Sequence, residues 1–381
     1  MTRRVVILSE LIAPYRIPVF NALARRSEIE LHVIFLARTD RSMRQWRIYE
    51  EEICFSYEVL PSWRKRISKY NLLLNRGLRR SLRGSNPDVI ICGGYNYISS
   101  WQALRWAKQH RVPFLLWSES TTNDQRGMHA PIELLKRTFV RSCDGFVVPG
   151  RSAREYLLEF GVSPEEVFVA PNAVDTALFS RLLKLEPVRR NRLRAQLALP
   201  DRYFLFVGRL VQEKGVRDLL DAYALLPSEL REQLGLVFAG DGPLRLELES
   251  LAREICPGTV QFAGFVQRDE LAGYYTLAEC FVFPTHTDTW GLVINEAMAS
   301  DLPIICTSVA GCATDLVKTN GRVVPPKDIT QLRNAMQEIA RDVSLRHRMA
   351  AESHRAVQGF SPEICAAAIA QASSGLDTYG Q

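Results

Sequence analysis

Short apolar runs alternate with longer amphipathic stretches along the whole chain. Val5–Ser9, Leu31–Phe35, Val89–Cys92, Pro113–Trp117, Gly145–Val148 and Val167–Ala170 each read as a strand. Helical periodicity fills the intervals, which is the signature of an α/β chain with a parallel sheet. The pattern then restarts with Phe204–Val207, Leu236–Ala239, Val260–Ala263, Cys280–Phe283, Ile304–Thr307 and Gly321–Val324. The spacing therefore predicts two doubly wound units in series. Their boundary falls between Leu178 and Pro200, in the arginine-rich RLLKLEPVRRNRLRAQLAL, giving domains over 1–180 and 181–361. The final helical segment, from Pro362, is expected to rejoin the first domain.

The densest chemistry lies between Pro284 and Val317. The pattern there predicts the end of a buried strand, a loop, a helix from Gly291 or Leu292 to Ser300, a short strand and another loop. Leu292, Asn295, Glu296 and Ala299 recur at i, i+3, i+4 and i+7, so they share one helix face. Glu296 then sits just behind a helix N-terminus, whose free N–H groups favour an anion such as phosphate. Asp288 stands in the loop at the mouth of the same place. Two acids flanking an open helix end suit a ligand with hydroxyls at both ends and phosphate between, the layout of a nucleoside diphosphate sugar.

Composition narrows the class. With 381 residues, 47% hydrophobic and 24% charged, the chain is that of a globular protein of two ordinary domains. No apolar run approaches the roughly 20 residues that cross a bilayer, and MTRRVVILSELIAPYR reads as a first strand, not a signal peptide. The eight cysteines show no metal-like spacing, and several lie in apolar runs, as in reduced cytoplasmic proteins. The net charge of +6 is uneven: residues 1–180 carry 26 Lys+Arg against 18 Asp+Glu, and the remainder 22 against 24. The excess peaks in PSWRKRISKYNLLLNRGLRRSLRGS, where eight cations interleave with apolar residues and no acid intervenes. It reads as a helix, either docked on an anionic membrane surface or packed on the core with its Lys and Arg stems lying over apolar surface. No nucleic-acid-binding motif accompanies it.

Several stretches together closely resemble glycosyltransferase family 4, retaining enzymes of the GT-B fold. The Asp288–Glu296 pair, followed by Ala-Met-Ala, resembles the donor motif of two acids separated by seven residues. Asp288 replaces its first Glu, and Asp301 stands where the family has a Gly after the helix. FLFVGRLVQEKGVRDLL resembles the segment that clamps the donor diphosphate with an Arg and a Lys, here Arg209 and Lys214 beside Gly208. Guanidinium offers a planar fork for phosphate and lysine a point charge. VFAGDGPLRL and VQFAGFVQRDE resemble further family segments; Phe265 and Val266 are placed beside the nucleobase. VAPNAVDTALF resembles the signature that ends the first domain, with Ala173 for its Gly and with Asn172 and Asp175 as turn-formers. The similarity covers the second domain almost completely and the first in pattern.

The resemblance implies two Rossmann-like domains facing across a cleft, and transfer from a nucleotide sugar. Donor-binding positions are Gly208, Arg209, Lys214, Phe265, Val266, Asp288, Gly291, Leu292, Val293 and Glu296, with Glu296 on ribose and Asp288 facing the sugar. The first loop, LIAPYRIPVF, carries Pro14, Tyr15 and Arg16 in place of the family's glycines, which assigns Tyr15 and Arg16 to the acceptor side. At the reacting centre, where the family often has a histidine, either Glu119, at the tip of the PFLLW strand, or His129 is expected. With no Asp-x-Asp motif, neither a metal nor a cofactor is expected. The expected partners are the nucleotide-sugar donor, a glycan or lipid-linked acceptor in cell-surface polysaccharide biosynthesis, and an anionic membrane surface. The alternatives are a GT-B phosphorylase or epimerase, or a non-catalytic sugar-nucleotide binder.

Overall fold

The computed structural model describes residues 2–40, 45–67, 70–122 and 130–375. It divides into one unit of Met1–Ala173 with Pro362–Gln381, and a second of Val174–Ser361. The first unit contains β1 (Arg3–Leu11), β2 (Ile29–Ala37), β3 (Ser56–Val59), β4 (Ser62–Ile67), β5 (Tyr70–Asn75), β6 (Val89–Cys92), β7 (Phe114–Trp117), β8 (Gly145–Val148) and β9 (Val167–Val169). Seven of these form one sheet in the order β3-β2-β1-β6-β7-β8-β9, every pair parallel. Alternate residues supply two cores. Val5, Ile7, Ile91 and Leu115 pack on one face, and Val6, Leu8, Ile90 and Leu116 on the other. Burial on both faces explains why β6, β7 and β8 are unbroken apolar runs.

The second unit contains β10 (Tyr203–Val207), β11 (Gly235–Ala239), β12 (Val260–Gly264), β13 (Cys280–Phe283), β14 (Ile304–Thr307) and β15 (Gly321–Val324). They form a parallel sheet in the order β12-β11-β10-β13-β14-β15. Strand order therefore reverses between β10 and β13. In open α/β sheets, such switch points leave a crevice at the carboxyl ends of the strands, where ligands bind. In the first unit the corresponding point lies between β1 and β6.

The basic run is not the helix its composition predicts. Its first half is the antiparallel hairpin β4–β5, which joins neither large sheet, and only its end is helical, over Leu78–Ser85. Alternation with a period of two decides the matter. Leu73 is buried while Leu72 is half-buried and Leu74 exposed, and Arg64 turns inward to pair with Asp40 and, at 3.4 Å, with Glu10. Trp63 and its cross-strand partner Leu74 are 53% and 38% exposed. Gly77, at φ +89°, then turns the chain into the helix. Lys65, Arg76, Arg79, Arg80 and Arg83 are exposed and form no ion pair among the described residues.

Candidate functional site

In the second unit, the loops that follow β10 and β13 are tied together by backbone contact. Gly215, at φ +63°, passes so close to Pro284 that an added Cβ would lie 2.0 Å from its carbonyl oxygen. The His286 and Thr285 groups complete the tie: His286 N–H and Thr285 Oγ1 both donate to the Glu213 carbonyl, at 2.8 and 2.9 Å. His286 Nε2 is 2.7 Å from Asp218 Oδ2. On the far side of β10, Gly240 approaches Gly208 so closely that a Cβ would meet its carbonyl oxygen at 1.8 Å. These glycines fix where Gly208, Arg209 and Lys214 stand.

Lys214, which ends a single turn of tight helix, forms an ion pair with Asp288, and its ammonium lies 5.4 Å from the centre of the Phe283 ring. The other oxygen of Asp288 accepts the Trp290 N–H at 3.0 Å, so the side chain is held at both ends. Arg209, at the carboxyl end of β10, is exposed, and its guanidinium has no hydrogen-bonding or ionic partner among the described residues. A cation that needs no internal partner is available to a ligand.

Gly291, at φ +97°, opens the helix Leu292–Ala299. A Cβ there would lie 3.1 Å from the Phe283 ring. Leu292 and Val293 occupy the first helical positions, whose N–H groups have no acceptor within the helix. Asn295 is fully buried and accepts the Trp290 indole N–H at 2.9 Å, which locks the loop to the helix. Glu296 is half-buried and accepts the Tyr275 hydroxyl at 2.8 Å. Burial pushes its carboxyl up to about 7, against the opposing pull of the Tyr275 hydroxyl and Arg268. Asp301 adopts the left-handed φ of +57° that a glycine would supply more cheaply, and its carboxylate meets His354 Nδ1 at 2.9 Å.

Phe265 and Val266 follow β12, which β11 separates from β10. Phe265 is 41% exposed, and Val266 packs in part against the core.

In the first unit, three loops at the carboxyl ends of β1, β7 and β9 converge. Arg16 donates to Glu119 and, at 3.1 Å, to Asn172 Oδ1, and its guanidinium lies 4.3 Å above the Trp117 ring. The Asn172 amide also donates to Glu119, at 3.4 Å. Arg16 and Glu119, assigned by sequence to different tasks, thus form one cluster. Tyr15 stands edge-on to Trp46, with ring centroids 6.0 Å apart. Asn172 is 1% exposed and is more than a turn-former, whereas Asp175 does cap a helix, accepting the Leu178 N–H at 3.0 Å. His129 lies outside the described residues. Tyr275 and His286 carry no local pattern that sets them apart from core or loop residues, and for Asn172, legible as a turn-former, only the fold reveals the contact with Arg16 and Glu119.

Comparison with known proteins identifies the family and the fold. Residues 20–178 match the family model for Glycosyltransferase Family 4, and residues 189–355 that for Glycosyl transferases group 1. The chain is 30% identical over 251 residues to the D-inositol 3-phosphate glycosyltransferase of Xylanimonas cellulosilytica, covering 64% of this chain and 58% of that protein. It is 31% identical over 168 residues to the O-antigen chain mannosyltransferase B of Escherichia coli, covering 43% of each. The chain thus spans about half the length of the curated relatives it matches. Among solved structures, Alr3699/HepE of Anabaena in complex with UDP and glucose superposes with a TM-score of 0.76 at 18% identity, covering 97% of this chain and 98% of that one. WaaG, a glycosyltransferase involved in lipopolysaccharide biosynthesis, gives 0.71 at 16%, covering 97% and 100%. With both halves matched and two Rossmann-like parallel sheets in sequence, the chain belongs to the family 4 glycosyltransferases of GT-B fold.

Proposed function

We propose that the chain is a retaining, metal-independent hexosyltransferase. It would move a sugar from a nucleoside diphosphate to a glycan or lipid-linked acceptor in cell-surface polysaccharide biosynthesis. One observation carries the reading. At the β10–β13 switch point, Lys214 and Asp288 meet beside a helix that opens on Gly291.

In this reading Arg209, Lys214 and the N–H groups of Leu292 and Val293 take the diphosphate, with Gly208 allowing close approach. Glu296 accepts from ribose hydroxyls, Asp288 from the sugar, and Phe265 and Val266 line the base. As the acceptor oxygen bonds to C1, the bond from C1 to the phosphate oxygen breaks, and the diphosphate leaves with its electron pair. The two cations and the helix end offset that charge. On the acceptor side Tyr15 and Arg16 orient the acceptor, and Glu119 or His129 serves the reacting centre. The acceptor's proton passes to that group or to the departing phosphate oxygen. The exposed Trp63, Leu74 and Lys65 of the β4–β5 hairpin, with Arg76 after it and Arg79, Arg80 and Arg83 on the next helix, suit an anionic leaflet, and in this reading the protein would work at the cytoplasmic face of a membrane.

A thermal-shift screen of nucleoside diphosphates and their sugars tests the donor site. UDP-glucose comes first, because a structural neighbour was solved with UDP and glucose. Release of nucleoside diphosphate that depends on added acceptor supports transfer. Release that depends instead on inorganic phosphate would mark a phosphorylase, and binding without any turnover a non-catalytic binder.

A further inference from the structure

We propose that Tyr275 is a positioning residue for the donor: its hydroxyl aims the Glu296 carboxylate at the ribose hydroxyls and favours the ionised form that can accept from both. The inference rests on the reading of Glu296 as the ribose ligand.

Tyr275 sits at the end of the helix Arg268–Leu277 and is fully buried. Its ring is held edge-on by Phe179, with centroids 5.7 Å apart, and tilted against Phe281, also at 5.7 Å. A phenol this enclosed has little rotational freedom, so its oxygen is a fixed point. From there it donates to Glu296 Oε2 at 2.8 Å and lies 3.4 Å from the Val293 carbonyl oxygen. Desolvation holds the phenol well above its ordinary value, so it remains a donor throughout the working pH range. An ionised carboxylate has about four acceptor positions. One is spent on Tyr275, and the rest remain for a vicinal diol.

The protonation state follows from the same neighbours. Burial alone favours neutral Glu296, whereas the Tyr275 hydroxyl and Arg268, which begins the same helix, favour the anion. The helix Val343–Val357 packed on Leu292–Ala299 carries charges, His347, Arg348 and the Arg355–Glu352 pair included, but none of them acts on Glu296. On the helix Val343–Val357, Arg346 pairs with Glu279 and His354 with Asp301.

The test uses the full chain and UDP-glucose, or whichever nucleotide sugar the screen selects, together with its 2′,3′-dideoxyribose analogue. A sugar diphosphate diester does not itself titrate between pH 6 and 9. Donor affinity is measured by calorimetry over that range for wild type, Tyr275→Phe, Glu296→Gln and the double variant. Wild type is expected to lose affinity as pH falls below about 7. Tyr275→Phe should move that midpoint upward and weaken binding about tenfold near pH 6.5, the gap narrowing by pH 9. In the Glu296→Gln background, or with the dideoxy analogue, the Tyr275→Phe effect should vanish. A purely structural tyrosine would lower affinity equally at every pH and for both ligands, which overturns the proposal. Were wild type to bind the dideoxy analogue as tightly as the parent, the ribose role of Glu296 would itself be wrong. If Tyr275→Phe lowers the melting temperature without moving the pH midpoint, Tyr275 is a core residue and nothing more.

Discussion

Replacing Asp288 by Asn should tighten nucleoside diphosphate binding while abolishing most transfer. Asp288 now holds the Lys214 ammonium, and the pair is largely sheltered, with side chains 17% and 23% exposed. A diphosphate arriving at that ammonium must compete with a carboxylate and also feel its repulsion. For unit charges about 6 Å apart, with the cation between them, an effective dielectric near 20 gives a repulsion of about 3 kcal/mol. Partial exposure and salt reduce this to about 1.4 kcal/mol, or tenfold in affinity. Asn preserves the geometry, since its carbonyl can still accept the Trp290 N–H that Asp288 accepts at 3.0 Å. Calorimetry of UDP with wild type and Asp288→Asn at low and moderate salt measures the effect, which should shrink as salt rises. Lys214→Met is the companion control and should lose affinity at both salts. The reasoning fails if Asp288→Asn binds UDP no tighter than wild type, because Lys214 would then not be the phosphate ligand.

Three further outcomes are expected. Arg16→Met removes the cation that Glu119 and the Asn172 carbonyl oxygen both accept from, and should cost about 2–3 kcal/mol after allowance for the exposure of Glu119. Adding Glu119→Gln should restore part of that loss in a denaturant titration, and no recovery would mean the pair is uncoupled. Glu296 carries a carboxyl raised above its ordinary 4.5 to about 7, so the folded state binds the extra proton and stability should decline as pH rises through that window. Glu296→Gln should flatten this slope in melting temperature against pH, and a parallel pair of curves would refute it. Vesicles rich in anionic lipid should sediment the protein at low salt and release it at high salt, and Trp63→Ser with Leu74→Ser should weaken that binding; equal binding by the variant would move the docking face elsewhere.

Much of this molecule is legible in its residues because the inner strands of both sheets, such as β6, β7, β8, β10, β11, β13 and β14, are apolar and buried on both faces. β6, β8, β13, β14 and β15 begin and end where the apolar runs do. The β4–β5 hairpin was not legible, because interleaved cations and leucines satisfy a helical composition as well as an alternating one. Its choice was made by distant partners, Asp40 and Glu10, which pull Arg64 inward. Lys214 and Asp288 were readable as charges in loops, yet their contact depends on Gly215 resting against Pro284, a fit no local pattern encodes. Asn172 and Tyr275 look like a turn residue and a core aromatic, and their polar ends acquire a task only once the fold brings Arg16, Glu119 and Glu296 beside them.

The last helix, Pro362–Ser374, lies on the helix Ile17–Ala24 and places Cys365, Ala366, Ile369 and Ala370 in the same core as β1 and β2. On the ribosome this inverts the usual order of completion. The stretch 174–361 has all of its own residues before the beginning of the chain has received its final piece, so the part synthesised first is finished last. Chains stopped before Pro362 should therefore show a protease-resistant carboxyl-terminal half joined to an amino-terminal half that is readily cut.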